Sequence, residues 1–208
     1  MKKIIPVIVI IAAVVLILAK TGSSGSRNSV AGIPAPVQQN ATGEVTTTAG
    51  DYDVKITYKA SYEIEALVVS VKNYHGSAFG DLLAPRDAAL AWGTVAEHNE
   101  DIDFHWRQSG RWYYWNVNSY EELAPVGKES DVNTQSANNH LIPADDNVLK
   151  QINKIKTGDH IKITGYLVDV KGEKPDGSYY TWSSSTSRND TGDGSCELIY
   201  VTNLEFLN

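Results

Sequence analysis

TGDHIKITGYLVDV, residues 157–170, carries the strongest strand signal in the chain. Ile161, Ile163 and Leu167 recur at period two, with Gly165 completing their row, while Lys162, Thr164 and Tyr166 alternate onto the other face. Gly158-Asp159 is a turn pair that launches the strand, and Gly165 marks a bulge or a sharp bend. Before it, Asp145 or Asp146 can cap a helix whose Val148, Ile152 and Ile155 share one face. After it, Pro175-Asp176-Gly177-Ser178 separates Val170 from Tyr179 as a turn, so the two flanking segments form a hairpin.

Further strands are expected at Val54–Tyr58, at Tyr62–Val71 and along Cys196–Asn203. A short helix is expected over Ala84–Trp92, where Pro85 suits the first turn, the alanines propagate helix and Gly93 ends it. Glu121–Thr134 is polar and reads as an exposed loop. Five or six strands and two short helices without a βαβ rhythm define a mostly β (α+β) chain. The expected architecture is a small antiparallel OB-like or SH3-like barrel.

At the amino terminus Met1-Lys2-Lys3 precedes an apolar run from Ile4 to Ala19. Sixteen helical residues rise about 24 Å, and extending through Ser24 with lysines snorkelling at the ends reaches a workable span. A cleaved signal peptide is the rival reading, but Ile17 stands where cleavage after Ala19 wants a small residue. The expected plan is a cytoplasmic tip and transmembrane anchor at 1–22, a flexible linker at 23–50 and a β-rich domain at 51–208. Lys2 and Lys3 keep the tip in the cytoplasm and send the domain outside, giving a single-pass protein of the cytoplasmic membrane.

The chain carries a net charge of -7, and residues 1–50 contribute +3, leaving -10 for 51–208. So acidic a domain repels phosphate backbones, which argues against nucleic acid as a partner. Cys196 is the sole cysteine, so no intrachain disulfide and no four-cysteine metal site can form. No cofactor motif occurs.

Five motifs follow in order: Asp87–Gly93, Gln108–Trp115, Ser136–Ala144, Gly158–Val168, and Trp182–Ser185 with Arg188–Glu197. Together they resemble a family of uncharacterised bacterial proteins with one amino-terminal membrane segment and one extracytoplasmic domain, over residues 54–203. The resemblance implies an address and a shared fold, and carries over no catalytic residues.

Four constellations bear on chemistry. Ser136-Ala137-Asn138-Asn139-His140 offers a hydroxyl, two amides and an imidazole, so His140 could serve as base to Cys196 or a serine, with Asp190 as orienter. No Gly-x-Ser-x-Gly elbow accompanies it, and short polar runs commonly staple irregular loops. His75, His105 and His140 lack short ligand spacing, so no metal site is assigned. Arg188–Gly194 could cradle an anion or calcium but lacks an EF-hand's length and terminal glutamate. Trp92, Trp112, Trp115 and Trp182, with Asn138, His140 and Arg188, form the expected binding set, for a glycan or a peptide, while core filling is the expected use of most of the aromatic rings. The functional expectation is a membrane-anchored accessory domain that binds an envelope protein or glycan. The alternatives are an envelope hydrolase or transferase using His140, and a metal-binding envelope protein.

Overall fold

The computed structural model describes residues 28–187 and 196–207. Ten strands make up nearly half of it: β1 (Val37–Asn40), β2 (Glu44–Ala49), β3 (Tyr52–Asn73), β4 (Arg86–Ala91), β5 (Arg107–Ser109), β6 (Trp112–Tyr114), β7 (Ser136–Pro143), β8 (His160–Glu173), β9 (Tyr179–Ser183) and β10 (Glu197–Phe206). Four short helices join them: α1 (Phe79–Leu83), α2 (Gly93–Glu97), α3 (Glu129–Thr134) and α4 (Asp146–Ile152). The chain is mostly β, with four helices where composition predicts two.

Strands β3, β4, β7, β10 and β8 hydrogen-bond in that order, and β8 returns to β3, closing a ring. Every pairing is antiparallel except β7 with β10. The expected central strand is β8, and its row Ile161, Ile163 and Leu167 is fully buried in the ring core beside Ile64, Leu90, Leu141 and Ile199. Gly165 sits opposite Val201, and a Cβ there would lie 2.1 Å from the Tyr200 carbonyl oxygen. Only a glycine lets β10 approach so closely, with the register shifting just beyond, between Val201 and Asn203.

The two strands expected at 54–58 and 62–71 are one strand, β3, whose pairing with β8 shifts register between Tyr58 and Ala60. That shift lets the first half of β3 serve a second core. Val54, Ile56, Phe79, Leu83, Ile142, Val168 and Leu198 form this cluster, covered from outside by the extension β2–β3–β8–β9. Phe79 stands over Gly172, where a Cβ would meet its ring at 2.2 Å.

Helix α4 and the β8–β9 hairpin form as expected. Asp145 accepts from the backbone N–H groups of Asn147 and Val148, and Val148 and Ile152 face the ring core. The buried Arg86 holds the other end, donating to the carbonyls of Asn153 (2.9 Å) and Ile155. Asp176 closes the hairpin turn by accepting from the Ser178 N–H at 2.9 Å.

Four expectations are corrected. Glu121–Thr134, expected as an exposed loop, carries α3 and buries Leu123 and Val132 in the ring core. Ala84–Trp92 is β4, not a helix, because all six strand residues are buried between β3 and β7, and burial overrides alanine's helical preference. Ser136–Pro143 is β7, a central strand, not a loop; its polar side chains reach other segments, Asn138 on Gln108, Ser136 on Tyr113 and Asn139 on the Ala88 carbonyl of β4. The linker expected at 23–50 carries β1 and β2 in its second half, and Ile33 is buried in the ring core. Threonine-rich Glu44–Ala49 is polar enough for a linker yet β-prone enough to pair along Tyr52–Thr57.

Both described ends meet one rim. The Asn28 side chain donates to the Gly158 carbonyl, and the Leu207 N–H donates to the His160 carbonyl. The anchor expected at 1–22 lies outside the described residues, among which no helix is long and apolar enough to cross a membrane.

Candidate functional site

The densest chemistry lies where β4 and β7 run side by side. Their register sets Asp87 beside His140 and Ala89 beside Asn138, with Ala91 beside Ser136. Over this face lies the β5–β6 hairpin, a two-residue turn of Gly110 (φ 60°) and Arg111 (φ 74°). Two left-handed residues in succession match the twist of a tight hairpin, and glycine takes the first at no cost. Arg111 takes the second against its own steric preference, a strain of about 1–3 kcal/mol that persists only where surroundings over-determine it.

They do so here. One guanidinium nitrogen of Arg111 donates to Asp87 Oδ1 (2.7 Å) and to the Ala84 carbonyl (2.8 Å), and the other to Asp81 Oδ1 (2.7 Å). Its guanidinium carbon lies 3.6 Å from the Tyr74 ring centroid, and its backbone N–H donates to the Tyr74 hydroxyl at 3.1 Å. Gln108 donates to Asn138 Oδ1 (2.7 Å), and Asn138 donates back to the Arg111 carbonyl (2.9 Å). The hairpin is thereby fixed to the ring wall and to α1.

Asp87 is 0 % exposed. His140, 3 % exposed, brings Nδ1 to 2.9 Å from the same Oδ1 that Arg111 holds. The distance is that of an ion pair, while the ring N–H is turned too far from the oxygen to make an aligned hydrogen bond. The imidazole rests on Trp182, with ring centroids 4.6 Å apart. His140 therefore sits between the two hydrophobic clusters, flanked by a carboxylate and an indole.

Two phenols border this polar seam. Burial pushes Tyr113 up to about 12, and its hydroxyl reaches Ser136 Oγ at 3.2 Å. Burial first, and then the Asp87 charge, push Tyr74 up to about 12 as well. Both rise in the folded state, so their neutral forms are favoured there. The stability they support is complete below the ordinary tyrosine value of 10 and is lost as pH climbs from 10 to 12. Melting temperature should fall across that window, and Tyr113→Phe should fall less steeply. A variant as alkali-sensitive as the parent would refute the assignment.

The expected site residues fare unevenly. Trp92 is buried in the ring core, and Asn138 and His140 are sealed beneath the hairpin, so these three are corrected from ligand contacts to internal ones. Trp115 donates to Asn133 Oδ1 (2.9 Å) and packs on the ring core, while Trp112 is half-buried on β6. Trp182 covers His140. Asp190 and Arg188 lie outside the described residues. The acid beside His140 is Asp87, and among the described residues no serine or Cys196 hydrogen-bonds to His140. His75 is exposed, and His105 faces Asp103 and Asn118. Among the described residues no group of three or more His, Cys, Asp or Glu side chains is placed to hold a metal.

Sequence reasoning missed Asp81, Asp87, Arg111 and Tyr74. The one local signal was Gly110-Arg111 at a hairpin tip, where a second glycine or asparagine is the ordinary choice. Comparison with protein-family models, with curated proteins and with solved structures finds no match to the chain.

Proposed function

We propose that this chain is a membrane-anchored, extracytoplasmic binding module that acts on an envelope glycan or protein without catalysing a reaction. One observation carries the reading: His140 is buried against Asp87, and among the described residues that carboxylate is committed to fastening the β5–β6 hairpin through Arg111. A general base must reach a proton on a substrate. Here the imidazole is enclosed by Trp182 on one side and the ring wall on the other.

The finer architecture we assign is an OB-like barrel. The ring order β3–β4–β7–β10–β8, with β7 and β10 parallel and α4 joining β7 to β8, supports it. Such barrels bind extended polymers on their outer surfaces. The apolar run at 4–19 supports the anchor, and the acidity of 51–208 turns the choice of polymer away from nucleic acid.

The alternative, a hydrolase or transferase with His140 as base, draws on the same 2.9 Å contact with Asp87. Protease treatment of spheroplasts, followed by sedimentation of the full chain with washed envelope, separates the two. The domain is expected to be clipped from outside and to sediment with the envelope, and His140→Gln and Cys196→Ser should retain that sedimentation. A domain protected from external protease, or an envelope association abolished by both substitutions in folded protein, would overturn the binding-module reading.

A further inference from the structure

The hairpin that Arg111 fastens has a second face. In the β5–β6 register Arg107 stands beside Tyr114, Gln108 beside Tyr113 and Ser109 beside Trp112, so alternate pairs point to opposite sides. Gln108 and Tyr113 turn to the ring wall, on Asn138 and Ser136. Arg107, Trp112 and Tyr114 therefore turn outward, and the Arg107 guanidinium carbon lies 4.5 Å from the Tyr114 ring centroid. The alternation runs on past β6: Tyr113, Trp115 and Val117 pack on the ring core, while Tyr114, Asn116 and Asn118 are exposed. Among the described residues no hydrogen bond or ion pair engages the Trp112 indole N–H, the Tyr114 hydroxyl or the side chains of Arg107 and Asn116.

Beyond the hairpin this face runs into a pocket of about 240 Å³, lined by Trp115, Asn116, Asn118, Ser119, Tyr120 and Glu129. It offers two amides, a hydroxyl and a carboxylate, with an indole and a phenol beside them. Tyr120 is 68 % exposed, so its ring is open to a ligand. The charges favour a neutral one. Among the described residues no lysine or arginine lines the pocket, Glu129 does, and Glu121 and Glu122 follow Tyr120 in the 3₁₀ turn Tyr120–Leu123. On the hairpin side Arg107 is offset by Asp103, whose Oδ1 lies 3.5 Å from His105 Nδ1.

We propose that this pocket and the outer hairpin face bind a neutral glycan whose sugars carry acetamido groups; the inference rests on the binding-module reading above. The apolar face of a sugar ring lies on an aromatic side chain, and its hydroxyls donate to a carboxylate and accept from amides and a guanidinium. An asparagine side chain presents a donor and an acceptor side by side, and an acetamido group presents the matching pair. One sugar occupies the Tyr120 pocket, and its neighbours extend along Asn116 toward Tyr114 and Trp112. Arg111 and Gln108 already fix the hairpin to the ring wall, so little ordering is left to oppose binding. A folded protein partner calls for a broad patch with an apolar centre, whereas this strip is one hairpin wide and largely polar.

The test is titration calorimetry of the full chain in detergent with the linear hexamer of N-acetylglucosamine. Cellohexaose, the same backbone with hydroxyls in place of acetamido groups, is the comparator. The acetylated hexamer should bind at least tenfold more tightly than cellohexaose. Asn116→Ala with Tyr120→Ala should weaken it at least tenfold at unchanged melting temperature, and Trp112→Ala severalfold. Tyr179→Ala, an exposed tyrosine of the β8–β9 hairpin, should leave it unchanged. Equal binding of the two hexamers, no binding of the acetylated one, or a double variant that binds like the parent overturns the proposal. So does a Tyr179→Ala variant as weakened as the double variant. Envelope sedimentation separates this failure from that of the binding-module reading. If the acetylated hexamer does not bind while the parent sediments, the module takes another partner; if the parent does not sediment at all, the binding-module reading fails too.

Discussion

Asp87→Asn is expected to lower the stability of the domain by about 3–5 kcal/mol, the usual cost of breaking a buried ion pair from one side. The side chain keeps its shape and loses only its charge, so packing contributes little. What changes is the field: Arg111 gives up its fully buried partner, and the Asp87 oxygen beside His140 is no longer anionic. Arg111 also keeps a left-handed backbone for the sake of these contacts, so the hairpin turn gains a reason to relax. Asp81→Asn makes a useful comparison, because Asp81 is 23 % exposed and water can replace part of its role; about 1 kcal/mol is expected. Urea denaturation of the two variants measures both. Equal losses, or an Asp87→Asn loss below 1 kcal/mol, would show that the seam is incidental to the fold.

Gly165→Ala is expected to cost about 3 kcal/mol or more, at the upper end of overpacking effects. The added methyl would stand 2.1 Å from the Tyr200 carbonyl oxygen and 3.1 Å from Val201 Cα. Both are backbone atoms of β10, so no side chain can rotate aside, and relief requires moving a strand that closes the ring. Gly177→Ala, in the β8–β9 turn, isolates the other glycine effect. Its φ is 83° with open space around it, so only local strain of about 1 kcal/mol is expected. If Gly165→Ala unfolds within 1 kcal/mol of the parent, the close approach of β8 and β10 is not required.

Local pattern was enough for some elements. β8, α4 and the turn at Pro175–Ser178 were legible because each announces itself within about ten residues, by alternation, by a capping aspartate or by turn chemistry. β4 and β7 were not. An alanine-rich run buried on all sides has no period to read, and Ser136-Ala137-Asn138-Asn139-His140 looks like a loop until its neighbours are known. The polar seam was hidden for the same reason. Asp87, Arg111 and His140 come from three separate segments, and only the β4–β7 register and the fold-over of the β5–β6 hairpin bring them together. Tryptophan density was visible, and Trp92 and Trp115 fill space around the ring as expected of most of the aromatic set; which rings would do so was not legible.

Residue 28 and residue 207 both depart from the rim at which β8 begins, beside Gly158 and His160. The β8–β9 hairpin stands at the far extremity of β3, where Asp53 faces Glu173, whereas Leu67 faces His160 near the departing ends. Fourteen residues of extended backbone separate those levels, up to roughly 45 Å. The β8–β9 hairpin therefore occupies the opposite pole of the domain from residues 28 and 207, and whatever joins those two ends leaves the hairpin's surface unobstructed.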